Sequence, residues 1–183
     1  MSTVYLIRHG RTEANERRLY CGSTDLPLSP AGRKELEALS YSVGKAQFIT
    51  SGMLRTEQTL EILFGPVTHR TEPKLREMDF GAFEMRGFEE LKDDSSYQSW
   101  ISGDNESKPA PGGESGKQMT ARALEAFQAL RSEGEDFVVV THGGVIAAIM
   151  NALFPGEGKN RYQWQPEPGR GCAVSDDGWR PIP

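Results

Sequence analysis

Apolar positions along the chain fall into two patterns: short continuous runs that end near a glycine, and apolar residues spaced three or four apart. The run Val-Tyr-Leu-Ile at residues 4–7 ends in Arg8-His9-Gly10, which predicts a buried strand opening at its C-terminal end into a loop. From residue 28 the spacing is helical. Ser29 suits an N-cap, Pro30 the first helical position, and Leu36, Leu39 and Val43 share a face that Gly44 closes. Phe48-Ile49-Thr50 reads as a second short strand, and Ser51 as the cap of a helix running through residue 63 until Gly65-Pro66 stops it. Residues 87–104 carry helical spacing around Phe88, Leu91 and Trp100, interrupted by Asp93-Asp94-Ser95-Ser96. Residues 103–117 have the composition of a surface loop. Met119, Ala123, Phe127 and Leu130 make an amphipathic helix ending near Gly134. Phe-Val-Val-Val at 137–140 reads as a strand covered on both faces. It runs into Thr141-His142-Gly143-Gly144, and an apolar helix follows over 145–153. Cys172-Ala173-Val174, then Asp177-Gly178 and Trp179, predict a closing hairpin.

Strands alternating with helices define an α/β class, with helices on both faces of a mostly parallel sheet. Ligands of such sheets sit beyond the strand C-termini. His9 and His142 each follow directly from a predicted strand end, and that coincidence is the first functional signal. The length, 183 residues, fits one domain over 1–183, with a small lid-like excursion around 82–117.

Twenty-six acidic residues against 21 basic ones give a formal charge of −5. That argues against nucleic acid or an anionic membrane as the main partner. No apolar run approaches the roughly 18 residues of a membrane span, and no basic segment followed by an apolar one opens the chain. Cys21 and Cys172 are the two cysteines, too few for a disulfide scaffold, so a reducing, cytoplasmic setting is expected. Three scattered histidines and no paired ligand motif suggest neither a metal nor another cofactor. The chain is expected to act as a monomer or homodimer.

Arg8 and His9 end one strand, His142 ends another, and Arg55 lies near the start of the helix after Ser51. Two guanidinium groups and two imidazoles converging at one sheet edge suit a doubly charged oxyanion, because guanidinium donors match phosphate oxygens in pairs. The amides at Gly10, Gly143 and Gly144 and the helix N-termini after them add fixed positive potential. Histidine is also a competent nucleophile toward a phosphate ester. Taken singly these signals are weak: Arg-His-Gly is short enough to arise by chance, Arg55 alone reads as a solvated helix residue, and His69 reads as surface. Their joint placement carries the expectation of a small-molecule phosphate ester as the partner.

At this point the sequence resembles the histidine phosphatase superfamily, whose best-known branch is the cofactor-dependent phosphoglycerate mutases. Residues 6–15, Leu-Ile-Arg-His-Gly-Arg-Thr-Glu-Ala-Asn, are similar to the family signature around a nucleophilic histidine. Residues 50–59 resemble the block with the phosphate-binding arginine, residues 75–81 the block with the acidic proton donor, and residues 140–144 the second-histidine block. Four blocks in order imply a phosphoglycerate-mutase-like three-layer α/β/α sandwich with one antiparallel strand. The resemblance also implies roles. His9 would be phosphorylated, and Arg8, Arg55, His142 and the Gly143 amide would hold the phosphoryl oxygens. Asn15 matches a further phosphate contact, and Glu77 matches the acid that protonates the leaving oxygen. Phosphoryl transfer through a loose, charge-spread transition state is served mainly by such positioned cations.

Two departures from the family pattern stand out. After Gly81 the family often has Trp-Glu-Gly, whereas this chain has Phe83-Glu84-Met85. The chain is also short, without room for a long insertion over the site, so water should reach a phosphohistidine and hydrolysis is favoured over mutase chemistry. Residues 20–28, which include the candidate substrate contacts Cys21 and Gly22, resemble the α-ribazole phosphatase branch, as does Pro-Gly-Gly-Glu-Ser at 111–115. The latter turns the 103–117 loop from a plain linker into an expected wall of the site. Glu114 there would either hydrogen-bond substrate hydroxyls or cap the following helix. The expected activity is a phosphomonoester hydrolase, acting on α-ribazole 5′-phosphate or a broad range of esters. The alternatives are a phosphoglycerate mutase and, in another class, a non-catalytic phosphate-binding regulatory module.

Overall fold

The computed structural model describes residues 2–183. In chain order its elements are β1 (Val4–Arg8), α1 (Glu13–Glu16), α2 (Pro30–Glu37), β2 (Gln47–Thr50), α3 (Leu54–Phe64), β3 (His69–Thr71), α4 (Phe88–Leu91), α5 (Ser95–Ile101), α6 (Gly116–Glu133), β4 (Phe137–Thr141), α7 (Gly143–Leu153), β5 (Gly171–Ser175) and β6 (Gly178–Ile182). They build one six-stranded sheet in the order β3-β2-β4-β1-β5-β6. β1, β2, β3 and β4 run parallel, β5 runs antiparallel to both its neighbours, and β6 therefore points with the others.

β4 explains the layering. All five of its residues are buried, and alternate side chains reach opposite faces of the sheet. Phe137 and Val139 join Leu6, Met119, Phe127 and Ile146 in the larger core, on the side of α6 and α7. Val138 joins Ile7, Phe48, Leu63 and Phe64 in the smaller core, on the side of α3. Each such side chain, fully removed from water, stabilises by roughly 1.5–3 kcal/mol, so the run pins the sheet between two helical layers. The same pairing of β1 with β4 sets Arg8 opposite Thr141. His9 and His142 therefore emerge side by side from one sheet edge.

Three sequence expectations shift, and one strand is added. α2 ends at Glu37, well before Gly44, because the chain beyond it is needed extended: Tyr41 and Val43 pack with Phe48 and Phe64, and the Tyr41 hydroxyl donates to the Gly169 carbonyl. Ser51 does not cap α3, which starts at Leu54 without a side-chain cap from its own N-cap residue; instead the Leu54 N–H donates to Asp25 Oδ1 at 2.7 Å. β4 extends one residue to Thr141. β3 was not foreseen, since His69, Arg70 and Thr71 are all exposed and no apolar alternation marks this edge strand. The 87–104 region does fold as two helices around the Asp-Ser interruption, with Asp94 capping α5 through the Ser96 and Tyr97 N–H groups.

Candidate active site

His9 is fixed by short-range contacts. Its backbone N–H donates to the Thr141 carbonyl at 2.9 Å, and ring Nδ1 lies 2.6 Å from the Gly10 carbonyl oxygen. A carbonyl can only accept, so Nδ1 carries the proton and Nε2 keeps its lone pair. Gly10 allows this turn because a Cβ there would stand 2.6 Å from Leu36 Cδ1. The Gly10 N–H is in turn held by Thr59 Oγ1 on α3.

His142 packs edge-on against His9, ring centroids 5.1 Å apart. Its Nε2 is 2.8 Å from Ser51 Oγ, which is what occupies the serine that the sequence suggests as a helix cap. Nδ1 of His142 and Nε of Arg8 are buried without a hydrogen-bond partner among the described residues. Burial pushes both imidazoles well below the ordinary histidine range. Arg55 adds to this at His9, and His9 and then Arg55 add to it at His142. Burial also lowers the Arg8 guanidinium from its usual value. A buried donor left unpaired costs about 1–3 kcal/mol. Arg8 Nε–H is such a donor, and with the Arg55 guanidinium it gives the two desolvated imidazoles a cationic surround suited to an anion.

Arg55, only 1% exposed, reaches this cluster from the first turn of α3. Its Nη1 donates to the Thr24 carbonyl and its Nη2 to the Gly22 carbonyl, each at 2.8 Å. The 21–24 loop is thereby a cradle for the guanidinium. Gly22 is committed on both sides, since its N–H donates to Glu84, and a Cβ there would stand 1.6 Å from the Met78 carbonyl. Cys21 Sγ donates to the Thr24 carbonyl at 3.5 Å, and burial raises its thiol pKa. Both residues, expected as substrate contacts, lie in the loop that holds Arg55. Asn15 closes a capping box with Thr12, its Oδ1 accepting from the Thr12 N–H and hydroxyl.

Glu77 is aimed by backbone amides: Oε2 accepts from the Gly144 N–H and Oε1 from the Met78 N–H, both at 2.9 Å. A Cβ on Gly144 would stand 2.4 Å from Oε1, so the second glycine of the Gly143-Gly144 pair makes room for the carboxylate. The first N–H groups of α7 have no acceptor inside the helix and face the same space as partial positive charge.

Three supports escaped the sequence reading. Arg122 on α6 donates to the carbonyls of Lys74, Arg76 and Glu77 and pairs through two nitrogens with Glu114 at 2.7 Å each. Glu114 therefore does not cap α6, a task Ser115 performs in a capping box with Gln118. It holds the arginine that holds the Glu77 segment. Glu84 accepts from the Gly22, Ser23, Thr24 and Phe80 N–H groups and from the Thr24 hydroxyl, tying the Arg55 cradle to the Glu77 turn. Met85 takes the left-handed conformation, φ 60°, that a glycine adopts freely. Holding a side-chain-bearing residue in this conformation costs about 1–2 kcal/mol. Ser51 is the third support. Spacing along the chain does not say which distant group Arg122 on its helix, Glu84 in its turn or Ser51 at its strand end will meet, so only the family pattern at Glu84 hinted at any of them.

With this geometry in view, comparison with known proteins gives a consistent answer. Residues 4–176 match the family model for the histidine phosphatase superfamily (branch 1), and the chain belongs to that family, whose members are phosphatases or mutases. A probable phosphoglycerate mutase GpmB of Yersinia enterocolitica is 31% identical over 163 residues, 84% of this chain and 75% of the relative. A solved putative alpha-ribazole-5′-P phosphatase from Escherichia coli superposes with a TM-score of 0.82 at 26% identity, covering 98% of this chain and 94% of that one. A phosphoglycerate mutase from Thermus thermophilus gives 0.77 at 29% identity, over 99% and 96%. The phosphoglycerate-mutase-like sandwich expected from the four sequence blocks is the fold observed. Among the described residues no helix is long and apolar enough to cross a membrane.

Proposed function

We propose that the chain is a phosphomonoester hydrolase working through a phosphohistidine on His9. The observation that carries this reading is the His9 Nε2 lone pair, free of any hydrogen-bond partner among the described residues and close to two buried nitrogens that also lack one, Arg8 Nε and His142 Nδ1. In the first step Nε2 attacks phosphorus and the ester P–O bond breaks. Arg8, Arg55, His142 and Gly143 carry the charge spread over the phosphoryl oxygens, and Glu77 in its acid form gives its proton to the departing alkoxide. In the second, water attacks the phosphohistidine, the Glu77 carboxylate takes the water proton, and phosphate leaves with His9 restored neutral. The curated relatives carry a mutase name and a structural relative a phosphatase name. We favour hydrolysis because the excursion over the site is two short helices, α4 and α5, which leave water a path. α-Ribazole 5′-phosphate, or a broad set of small esters, is the substrate range this reading supports.

The test is a rapid alkaline quench after mixing with ³²P-labelled ester. Acid-labile label should appear on His9, and His9→Ala should lose label and turnover together, by roughly 10⁴-fold or more. A His9→Ala enzyme with near-normal rates would end this reading. Release of inorganic phosphate, with no label passing to added phosphoglycerate, separates hydrolase from mutase.

A further inference from the structure

Two clefts meet at Glu77. One, about 430 Å³, is polar and includes Arg76, Asp79, Glu114 and Arg122. The other, about 480 Å³, is walled by Tyr20, Phe80, Trp100, Ile101 and Tyr162 and reaches Glu77 and Gly144 at its base. Gln165 also lines this second cleft, and it stands beside Gly143 next to the Arg8 guanidinium. A phosphoryl group on His9 would therefore have its departing oxygen at Glu77, at the floor of the aromatic cleft.

The walls have a definite chemistry. Tyr20, Phe80 and Trp100 pack on one another edge-on or tilted, centroids 5.0 to 6.3 Å apart, and so form a fixed aromatic corner. Tyr162, 79% exposed, joins the same lining from the 155–166 segment. The cation of the lining, Arg161, is already paired with Glu106 at 2.7 Å. Besides that pair the lining contributes Glu77, itself an acid. Among the described residues of the lining, nothing remains to neutralise a carboxylate on the leaving group.

Resting on the phosphohistidine reading above, we infer that the alcohol portion of the substrate is uncharged and carries a flat ring, which seats on Tyr20, Phe80 and Trp100 alongside Tyr162. Such walls favour a planar group through ring–ring contact and apolar burial. A three-carbon acid neither fills the space nor finds a counter-charge. The amides of Asn105 and Asn160 at the rim suit hydroxyls on such an alcohol.

The experiment compares kcat/KM for 2-phenylethyl phosphate, glycerol 3-phosphate and 3-phosphoglycerate. All three are primary alkyl esters with similar leaving oxygens, so the ratios read only the rest of the alcohol. The phenylethyl ester should exceed glycerol phosphate by roughly tenfold or more, and 3-phosphoglycerate should be slowest. Tyr162→Ala, at an exposed site, should collapse the phenylethyl preference, and Phe80→Leu should weaken it. Equal rates on the three esters would overturn the inference while leaving the hydrolase reading intact. An aryl preference untouched by both cleft variants but lost in Arg76→Ala would move the alcohol to the polar cleft and overturn it too. If none of the three esters, nor p-nitrophenyl phosphate, labels His9 or releases phosphate, the function reading itself has failed.

Discussion

The phosphate pocket and the aromatic cleft lie side by side and are built in opposite ways. In the pocket, His9, Arg55 and His142 are at most 6% exposed, and backbone carbonyls or the buried Ser51 hydroxyl fix their side chains. In the cleft, side chains of loops and short helices do the lining, and Ile101 and Tyr162 are 39% and 79% exposed. Donors that must stabilise a transition state gain from being held before the reaction begins. Groups that only recognise an alcohol can sit on segments free to vary. Substitutions in the pocket should therefore damage every substrate, whereas substitutions in the cleft should re-rank substrates.

Glu77 lies at the junction and offers the sharpest way to break that contrast. Glu77→Gln keeps the shape but cannot donate an acidic proton. Turnover of alkyl phosphates should fall by roughly 10²–10⁴-fold, while p-nitrophenyl phosphate, whose leaving group needs no proton, should fall much less. Gly144→Ala pushes a methyl against the carboxylate and should reproduce the same asymmetry. Equal losses on both substrates, in either variant, would make Glu77 structural and leave the proton donor unidentified.

Arg122 sharpens the comparison from behind, because it touches neither His9 nor the cleft aromatics. Arg122→Ala strips donors from three carbonyls of the 74–77 segment. kcat on alkyl esters should fall roughly tenfold from the misplaced Glu77, with KM little changed. Arg122→Lys should restore this only in part, since an ammonium cannot fork. A loss of stability with an unchanged kcat in the folded fraction would confine Arg122 to the fold.

The smallest expected effect concerns pH. Burial depresses the folded-state pKa of His9 and His142, so between that value and the unfolded value of about 6.5 the unfolded chain binds more protons. Stability is then full above pH 6.5 and declines as pH falls through the folded-state values. The imidazole NMR signals of these two residues should stay in the neutral form at pH 6, and thermal melts should show the decline. Titration of either residue near 6.5 would mean that burial does not hold these imidazoles neutral.

Much of the site was legible because it lies at element boundaries. Val4–Arg8 and Phe137–Thr141 are largely apolar runs each followed by a histidine, and the hydrophobic effect alone places such strands in the sheet centre. Ser29 and Gly134 mark helix ends where orphan backbone groups need partners. Other features were illegible because a polar side chain has many possible partners and local spacing does not choose among them. Ser51 looks like a cap but serves His142, and Asp25 serves α3 from 29 residues away.

By itself, then, the sequence determined the layers of the fold, the two strand ends where the histidines emerge, and the family motifs on them. Apolar periodicity and backbone termini are local constraints that leave little choice. Only the tertiary structure decided that Glu114 clasps Arg122, that Glu84 ties the Arg55 cradle to the Glu77 turn, and that Arg161 is spent on Glu106. Those pairings join residues distant along the chain, and what selects them is the cost of leaving a polar group half buried without a partner, a condition that exists only once the core has closed.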